Sequence, residues 1–360
     1  MTDNSAPFLP DWASPPGDTL ADMLDERSMT QTELAERLGV SLKHVNRIIK
    51  GAASISGELA LGLEKIVGPS ASFWMTREAL YQADKSRQEQ RRAFADAVEW
   101  AKQFPISELR KRGFIAADAI GGELVEQVLT FLGIAHPAQW RDPLAAYRKS
   151  QKFQSNPFAL SAWLRQGERE AAEIDCAPYD EERFVAALSR ARSFTRDDPD
   201  VWWPALQELC AAAGVAVVIV DTYVGAKANG ATRWLSPHTA LVQLSLRYAW
   251  EDIFWFTFFH EAGHVVLHRK KQRFVEVAPN DRPVDAESQR LENEADVFAA
   301  RTLIPSVHEP HLRSLELGEI PRFAEGIGIG PAIVVGRLHH ERLLPFSHGR
   351  HLRKQLQFAE

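Results

Sequence analysis

The first quarter of the chain places apolar residues at helical spacing, with few β-branched runs between them. Three such groups are Leu20, Met23 and Leu24; Leu34, Ala35 and Leu38; and Leu59, Leu61 and Leu63. Apolar residues that recur every three or four positions line one face of a helix. The pattern therefore predicts an all-α domain over residues 19–101. Residues 1–18 are rich in Pro, Ser and Asp, and we predict a flexible arm there.

The helical pattern continues beyond this domain. The segment 84–104, "DKSRQEQRRAFADAVEWAKQF", predicts a longer amphipathic helix that leads away from it. Short turn signals then interrupt the pattern: "GG" at 121–122, "HP" at 136–137, "NP" at 156–157 and "DDPD" at 197–200. No grouping of residues with catalytic chemistry occurs here. We predict that residues 102–204 form a helical linker or regulatory region.

The pattern changes near residue 214 from helical to strand-like. The runs "GVAVVIVD", "GATRWLS" and "TALVQLSLRY" predict three strands, and "IFWFTFFHEAGHVVLHRK" and "ESQRLENEADVFAARTLI" predict two helices after them. A small antiparallel sheet followed by helices is an α+β arrangement. We place this domain at residues 205–345 and a C-terminal tail at residues 346–360. The whole chain is thus predicted to be multi-domain.

Composition limits the function classes. A chain of 360 residues has room for two or three domains. The formal net charge of −6 excludes a globally basic surface, so any contact with nucleic acid needs a local basic face. Two cysteines without metal-type spacing indicate a reducing compartment. Neither a secretion signal nor an apolar run long enough to cross a bilayer is visible, and we expect a cytoplasmic protein without a membrane partner.

The first helix of the α+β domain carries two histidines four residues apart, His260 and His264. On a helix this spacing places both imidazoles on one face, close enough to hold one Zn²⁺ ion. Glu261 lies beside the first histidine, where its carboxylate can take a proton from a zinc-bound water. The apolar run before His260 predicts a buried helix. Gly263 costs about 1 kcal/mol in a helix interior, which indicates close approach of a strand or of substrate backbone.

A catalytic zinc site needs a third protein ligand. Glu292 is our choice, because Asp296 lies four residues further along the same predicted helix and can hold a ligand histidine from outside the first coordination shell. Glu294 is the competing candidate for the third ligand. The alternative to both is that Glu292 and Glu294 are solvated charges on the helix surface and bind no metal. His268 is rotated by about 80° from His260, so we interpret it as a helix-end or second-shell residue or as a surface histidine.

These two helices resemble the ImmA/IrrE family of bacterial metallopeptidases. The resemblance covers roughly residues 205–345 and continues through Ala295, Asp296, Phe298–Ala299, Leu303 and Pro305. Pro305 stands one residue closer to Leu303 than the family pattern has it. The resemblance implies that His260, His264 and Glu292 bind Zn²⁺ and that Glu261 is the general acid/base.

The stretch "QTELAERLGVSLKHVNRII" predicts two helices joined by a turn. Ala35 is small where the helices cross, Gly39 makes the turn and Ser41 caps the second helix. The outer face of that second helix is polar or basic and carries no acidic residue between positions 41 and 51: Lys43, His44, Asn46, Arg47 and Lys50. This local basic face supplies the positive charge that the whole chain lacks.

This stretch resembles a helix-turn-helix of the lambda-repressor type, in particular that of HigA-like antitoxins. The resemblance implies binding to double-stranded operator DNA, and we expect a homodimer. Ser41, Lys43 and His44 are the predicted base readers, because the first residues of a recognition helix meet base edges. Asn46 and Arg47 read bases or hold phosphate, and Lys50 holds phosphate. The alternative is a plain helical hairpin with a solvated basic face.

The segment "GIGPAIVVGRLHHERLLP" has a second helix-turn-helix character and also occurs in ImmA/IrrE relatives. We interpret His339 and His340 in it as surface residues rather than ligands. Two functions then remain. In the first, a DNA-binding regulator carries a zinc peptidase that cleaves a specific partner protein, a repressor or an antitoxin. In the second, an antitoxin-like repressor uses its zinc domain as a non-catalytic sensor or scaffold.

Overall fold

The computed structural model describes residues 14–143, 155–268 and 286–356, and the backbone of 274–277. The chain divides into two compact units. The first consists of Met1–Glu99 and Asp118–Glu126, and the second of Trp100–Ala117 and Gln127–Glu360. None of the described helices is long and apolar enough to cross a membrane.

The first unit begins with five helices: α1 Pro16–Glu26, α2 Gln31–Leu38, α3 Leu42–Ile49, α4 Gly57–Val67 and α5 Ala71–Ala93. Their inner faces form one core that includes Leu34, Val45, Ile48 and Trp74, all buried. This is the all-α arrangement that the apolar spacing predicts.

The ends of two elements differ from the prediction. Helix α1 already begins at Pro16, inside the segment predicted as an arm, because proline suits the first turn of a helix and Leu20 is buried in the core. Residues 1–13 of that arm lie outside the described residues. The long helix predicted at 84–104 begins earlier, at Ala71, where the Ser70 side chain accepts a hydrogen bond from the Phe73 amide. It ends as a regular α-helix at Ala93.

The rest of the chain adds eleven helices and four strands among the described residues. They are α6 Val98–Ala101, α7 Ile106–Lys111, α8 Gly121–Leu132, α9 Pro157–Ala172, α10 Glu181–Ala191, α11 Pro199–Ala211, β1 Val215–Ile219, β2 Ala228–Ser236, β3 Thr239–Leu244, α12 Glu251–Leu267, β4 Phe274–Val277, α13 Ala286–Leu303, α14 Glu309–Leu312, α15 Ile320–Gly326 and α16 Pro331–His340. Helices α9 and α11, from the region predicted as a linker, pack against β1.

The sheet has the order β1-β3-β2-β4 and is mixed rather than antiparallel. Strand β1 pairs in parallel with β3, with Val215 opposite Ala240, whereas β2 is antiparallel to both β3 and β4. The antiparallel prediction was therefore wrong for β1. Four of the five side chains of β1 are buried, and a strand that is apolar on both faces is typical of parallel pairing.

Helix α12 crosses this core and positions the site. Phe254, Trp255, Phe258 and Phe259 are all buried and pack among the apolar side chains of the sheet and the surrounding helices. The helix contacts α13, α16 and strands β2 and β3. The segment predicted as a C-terminal tail contacts the start of α12, since Gln355 forms a β-bridge with Trp250, the residue just before that helix.

Candidate metal centre and helix-turn-helix surface

Helices α12 and α13 bring three side chains together at one point. His260 and His264 lie one turn apart on α12, with their Nε2 atoms 3.1 Å from each other. Glu292 on α13 lies opposite, with carboxylate oxygens 3.3 Å from Nε2 of His260 and 3.7 Å from Nε2 of His264. All three residues are buried, and together they form the one group in the described part of the chain that could hold a metal ion. We call it the His–His–Glu cluster.

The cluster fits a Zn²⁺ ion. Zinc bonds of 2.0–2.1 Å in tetrahedral geometry separate neighbouring ligand atoms by about 3.3 Å. The three separations in the cluster are 3.1, 3.3 and 3.7 Å. Two imidazole nitrogens and one carboxylate are also the donor types of catalytic zinc sites, which leave a fourth position open.

A further layer of side chains orients the two imidazoles. Nδ1 of His260 lies 2.9 Å from Oδ1 of Asp296, and Nδ1 of His264 lies 2.8 Å from Nδ1 of His268. Burial, together with the neighbouring histidines, lowers the pKa of His264, so its imidazole is neutral at pH 7. A hydrogen bond at Nδ1 leaves Nε2 available as a ligand atom.

His268 and Glu294 lie outside the cluster. His268 ends α12 and is buried, which rules out its interpretation as a surface histidine. Its Nε2 atom lies 3.2 Å from Oε2 of Glu294. Glu294 is therefore joined to the site through His268 and His264, whereas Glu292 meets both ligand histidines directly.

Glu261 is completely buried beside the cluster, on the side that faces β2. The Thr232 hydroxyl lies 2.6 Å from Oε2 of Glu261 and 3.0 Å from its backbone carbonyl oxygen. At Gly230, two residues earlier, a Cβ atom would come within 2.6 Å of Oε1 of Glu261. Sequence analysis missed both strand residues. Their two-residue spacing puts them on one face of a strand, but it does not show which helix that face meets.

Gly263 is where α13 approaches α12. A Cβ atom there would lie 3.1 Å from the ring of Phe298 and 3.4 Å from Cα of Ala295. The element that approaches is thus a helix, and not the strand or substrate backbone that we expected. This close crossing lets side chains from both helices reach the same point.

A cavity of about 300 Å³ runs along α12 next to the cluster. Its walls are mostly apolar and include Ile253, Phe256 and Ile333, while Asp296 and His340 add polar groups. His340 is exposed, as predicted. The prediction was wrong for His339, which is buried because the inner face of α16 packs into the core. The Nε2 atom of His339 lies 3.0 Å from the His348 carbonyl oxygen.

In the first unit, α2 and α3 form two short helices joined by a tight turn. The Thr30 side chain caps α2 by accepting from the Glu33 amide, and the Ser41 side chain caps α3 by accepting from the His44 amide. Gly39 has φ 69°, a left-handed conformation that glycine adopts without strain. Each residue therefore adopts the local geometry that its type predicts.

The predicted DNA-contacting residues lie on or next to α3. Ser41, Lys43, Arg47 and Lys50 are exposed, and His44 and Asn46 are half-buried. Two of these side chains make contacts within the unit: Asn46 Nδ2 donates to the Leu42 carbonyl at 3.0 Å, and an Arg47 NH2 group donates to the Ala52 carbonyl at 3.1 Å. The exposed face of α3 thus presents Lys43 and Lys50 to solvent.

Two family profiles match this chain. Residues 20–70, which include α2 and α3, match the helix-turn-helix family. Residues 226–317 match the IrrE N-terminal-like domain. This range includes α12, α13 and the whole His–His–Glu cluster. The two matches agree with the resemblances seen at both ends of the sequence.

Individual relatives resemble the N-terminal part. An Escherichia coli (strain K12) protein described as an HTH-type transcriptional regulator, YddM, is 27% identical over 74 residues, which are 20% of this chain and 79% of that protein. An addiction module antidote protein of a HigA family from Coxiella burnetii is 28% identical and covers 23% of this chain and 90% of its own, with a TM-score of 0.22. The Pseudomonas aeruginosa antitoxin HigA, solved with the higBA promoter, is 30% identical over 22% of this chain and 87% of its own, with a TM-score of 0.21.

Proposed function

Because the chain joins a helix-turn-helix domain to an IrrE N-terminal-like domain, we propose that it is a DNA-binding regulator that carries a zinc-dependent peptidase. The peptidase hydrolyses peptide bonds in a specific partner protein, a repressor or an antitoxin. The observation that carries this proposal is the buried His–His–Glu cluster with Glu261 directly beside it.

The side chains around the cluster have separate roles in this reaction. His260, His264 and Glu292 hold the metal ion. Bound zinc supplies a Lewis acid that polarises the peptide carbonyl and makes water more acidic. Glu261 accepts the proton of the attacking water on its carboxylate and delivers it to the leaving amine. The Thr232 hydroxyl fixes the position of that carboxylate through its 2.6 Å contact with Oε2.

The surroundings of the site favour a restricted substrate. Glu261 and His260 are fully buried, and the adjoining cavity is about 300 Å³, which suits one or two side chains rather than an unselected unfolded chain. We therefore expect little digestion of casein. Cleavage is expected with a partner whose sequence fits the cavity or after a signal opens access to it.

The helix-turn-helix supports the regulatory half of the proposal. The chain has a net charge of −6, but exposed Lys43 on α3 and exposed Lys50 just after it supply local positive charge. Lys43 lies where a base is read, and Lys50 lies where a phosphate is held. A homodimer on operator half-sites about 34 Å apart is the arrangement that suits such a domain. The relative described as an HTH-type transcriptional regulator supports the same function for this part of the chain.

The test is a Glu261→Gln variant. Zinc-loaded wild-type protein is incubated with candidate repressors and antitoxins, and fragments are identified by mass spectrometry. The variant should lose cleavage by about 10²-fold or more while it keeps zinc and operator DNA, since it removes a proton acceptor but no ligand. Glu287→Gln, an exposed change on α13, is the matched control. Equal activity of the Glu261→Gln variant in cells supports instead the repressor whose zinc domain is a non-catalytic sensor or scaffold.

A further inference from the structure

The loop between β3 and α12 lies beside Asn229 of β2. The Ser245 amide donates a hydrogen bond to the Asn229 carbonyl oxygen at 2.8 Å, and the Ser245 hydroxyl donates to the Ala228 carbonyl oxygen at 2.8 Å. The backbone amide of Arg247 in turn donates to the Ser245 hydroxyl oxygen at 3.4 Å. These hydrogen bonds place Arg247 next to the start of β2.

Strand β2 contains a β-bulge at Asn229. Against β4, Ala228 pairs with Val277 and Gly230 pairs with Glu276, so two steps along β2 match one step along β4. The Cβ direction of Gly230 points at α12, and the Asn229 side chain lines two cavities whose other walls include residues of α12. Successive side chains of a regular strand point to opposite faces, whereas a bulge changes the direction of one of them. The bulge thus turns Asn229 towards α12.

Two polar atoms at this place are buried and make no hydrogen bond within the described part of the chain. One is Oδ1 of Asn229, an acceptor, and the other is Nη1 of Arg247, a donor. The Arg247 guanidinium lies 4.9 Å from the centre of the Tyr248 ring, which covers its face but not the N–H groups in its plane. Because folded proteins leave few buried polar atoms unpaired, these two indicate a ligand with both an N–H group and a carbonyl oxygen.

The same loop has a strained backbone. Tyr248 has φ 90° and Ala249 has φ 49°, and bulky residues rarely adopt positive φ. Such strain persists only where the surrounding structure holds it, and it is concentrated at active sites and ligand clamps. Here the strained turn carries Tyr248 into the wall of the cavity along α12 and Ala249 into the wall of a smaller one. The strain therefore points to a binding role for this loop.

The two cavities connect these atoms with the catalytic residues. Asn229 and Thr257 line both the 300 Å³ cavity along α12 and the smaller one, which Arg247 also lines. The smaller cavity, of about 10 Å³, has room for about one oxygen atom. Gly230, next to Asn229, is the residue whose Cβ atom would lie 2.6 Å from Oε1 of Glu261. A carbonyl oxygen at Arg247 therefore belongs to a ligand that extends towards Glu261.

We propose that Asn229 and Arg247 bind the backbone of one substrate residue. Oδ1 of Asn229 accepts a hydrogen bond from the N–H group of that residue, and Nη1 of Arg247 donates to its carbonyl oxygen. In an extended chain both groups of one residue point to the same side, as they do between antiparallel strands. The contact positions the chain whatever the side chain is. That the bound peptide is a substrate rests on the proposed function, but binding itself requires no turnover.

The test uses N-acetyl-leucine methylamide, a probe in which one residue has both a backbone N–H group and a backbone carbonyl. Ligand-observed NMR with the full-length protein should give a Kd on the order of 1 mM. Replacing the leucine N–H by an ester oxygen should weaken binding about tenfold, because Asn229 then faces an oxygen instead of a donor. Replacing the methylamide N–H instead, in N-acetyl-leucine methyl ester, should change the Kd less than about twofold. Glu261→Gln protein is measured beside wild type so that hydrolysis of the probe does not interfere.

Variants locate the binding site. Asn229→Ala should bind the amide and its leucine ester equally, because the acceptor that distinguishes them is gone, whereas Asn229→Asp keeps an acceptor and should retain the preference. Arg247→Met should weaken binding of both probes about tenfold. Arg322→Met, an exposed change on α15, is the matched control and should bind like wild type. Circular dichroism verifies that each variant is folded.

Several results would overturn the proposal. It is wrong if the amide does not bind or if wild-type protein binds the amide and its leucine ester equally. It is also wrong if folded Asn229→Ala and Arg247→Met variants behave like wild type, as expected if the two side chains satisfy each other. Failure of the proposed function looks different: the protein then prefers the amide but cleaves no partner. A protein that cleaves a partner without this preference has the peptidase activity but not this binding site.

Discussion

The Nδ1 atom of His260 lies 2.9 Å from Oδ1 of Asp296, one helical turn beyond Glu292 on α13. One helix therefore presents two carboxylates to the two nitrogens of a single imidazole. Glu292 faces Nε2 together with the metal position, and Asp296 holds the opposite nitrogen. This division of roles makes Asp296 a positioning residue for the metal site rather than a ligand.

We predict that Asp296→Ala lowers zinc affinity about 10–100-fold, because His260 loses the acceptor that fixes its tautomer and ring orientation. Competition against a chromogenic chelator measures this directly. Asn293→Ala, an exposed change directly after Glu292 whose side chain accepts a hydrogen bond from Gln289, should keep wild-type affinity. An Asp296→Ala protein with unchanged affinity contradicts the role assigned to this carboxylate.

Glu292 and Glu294 can be separated by the same measurement. We predict that purified wild-type protein holds about one zinc per chain and that Glu292→Ala loses most of it, because one of three ligands is gone. Glu294→Ala should retain most of the metal, since Glu294 reaches the cluster only through His268. Elemental analysis of both variants gives the answer, and the reverse order of occupancy means that the ligand is Glu294.

The Thr232 hydroxyl offers a test of how Glu261 is positioned. Thr232→Val keeps the shape of the side chain but removes the 2.6 Å contact with the carboxylate. A hydrogen bond to a charged group contributes about 1.5–3 kcal/mol, so cleavage should slow roughly 10–100-fold while zinc content stays the same. Thr232→Ser should recover most of the rate because it restores the hydroxyl. If both variants cleave like wild type, the contact has no role in catalysis.

A side chain that contacts phosphate and one that reads a base should affect operator binding differently when each is removed. Lys50→Ala should weaken operator binding at all sequences alike and reduce the salt slope by about 1, as expected of a phosphate contact. Arg47→Ala should cost about 1–3 kcal/mol at the operator alone if Arg47 releases the Ala52 carbonyl and reads a guanine. Lys65→Ala, exposed on α4, is the control. Electrophoretic shifts at several salt concentrations distinguish these outcomes.

Each half of the His–His–Glu cluster was predictable from sequence because the geometry within one helix is local, whereas spacing alone does not fix that α12 meets α13. His260 and His264 are fixed by one helix, and Glu292 and Asp296 by another, so four-residue spacing already places each pair on one face. The same holds for the turn at Gly39 and the caps at Thr30 and Ser41, which are decided within a few residues.

Features that depend on which elements meet were not predictable. Thr232 reaches Glu261 only because β2 lies beneath α12, and nothing within β2 specifies that neighbour. Strand β1 pairs with β3 in parallel although β2 follows it directly in the chain. His339 is buried because α16 packs on α12, whereas its neighbour His340 remains exposed.

The last prediction concerns pH. Burial raises the pKa of Glu251 at the start of α12 to about 7, with Asp252 and Asp198 adding to the effect and Lys354 opposing it. The folded protein then binds this proton more tightly than the unfolded chain, so the protonated form stabilises the fold and that stabilisation is lost as the pH rises through about 7. Glu251→Gln keeps the shape of the side chain without the charge. Its free energy of unfolding should match wild type near pH 4, below the pKa of an unfolded glutamate, and exceed it by on the order of 1–2 kcal/mol at pH 8. Denaturant titrations at both pH values measure the difference, and the zinc site, which both proteins share, cancels in the comparison. A difference that does not change with pH means that Glu251 is ionised throughout the range.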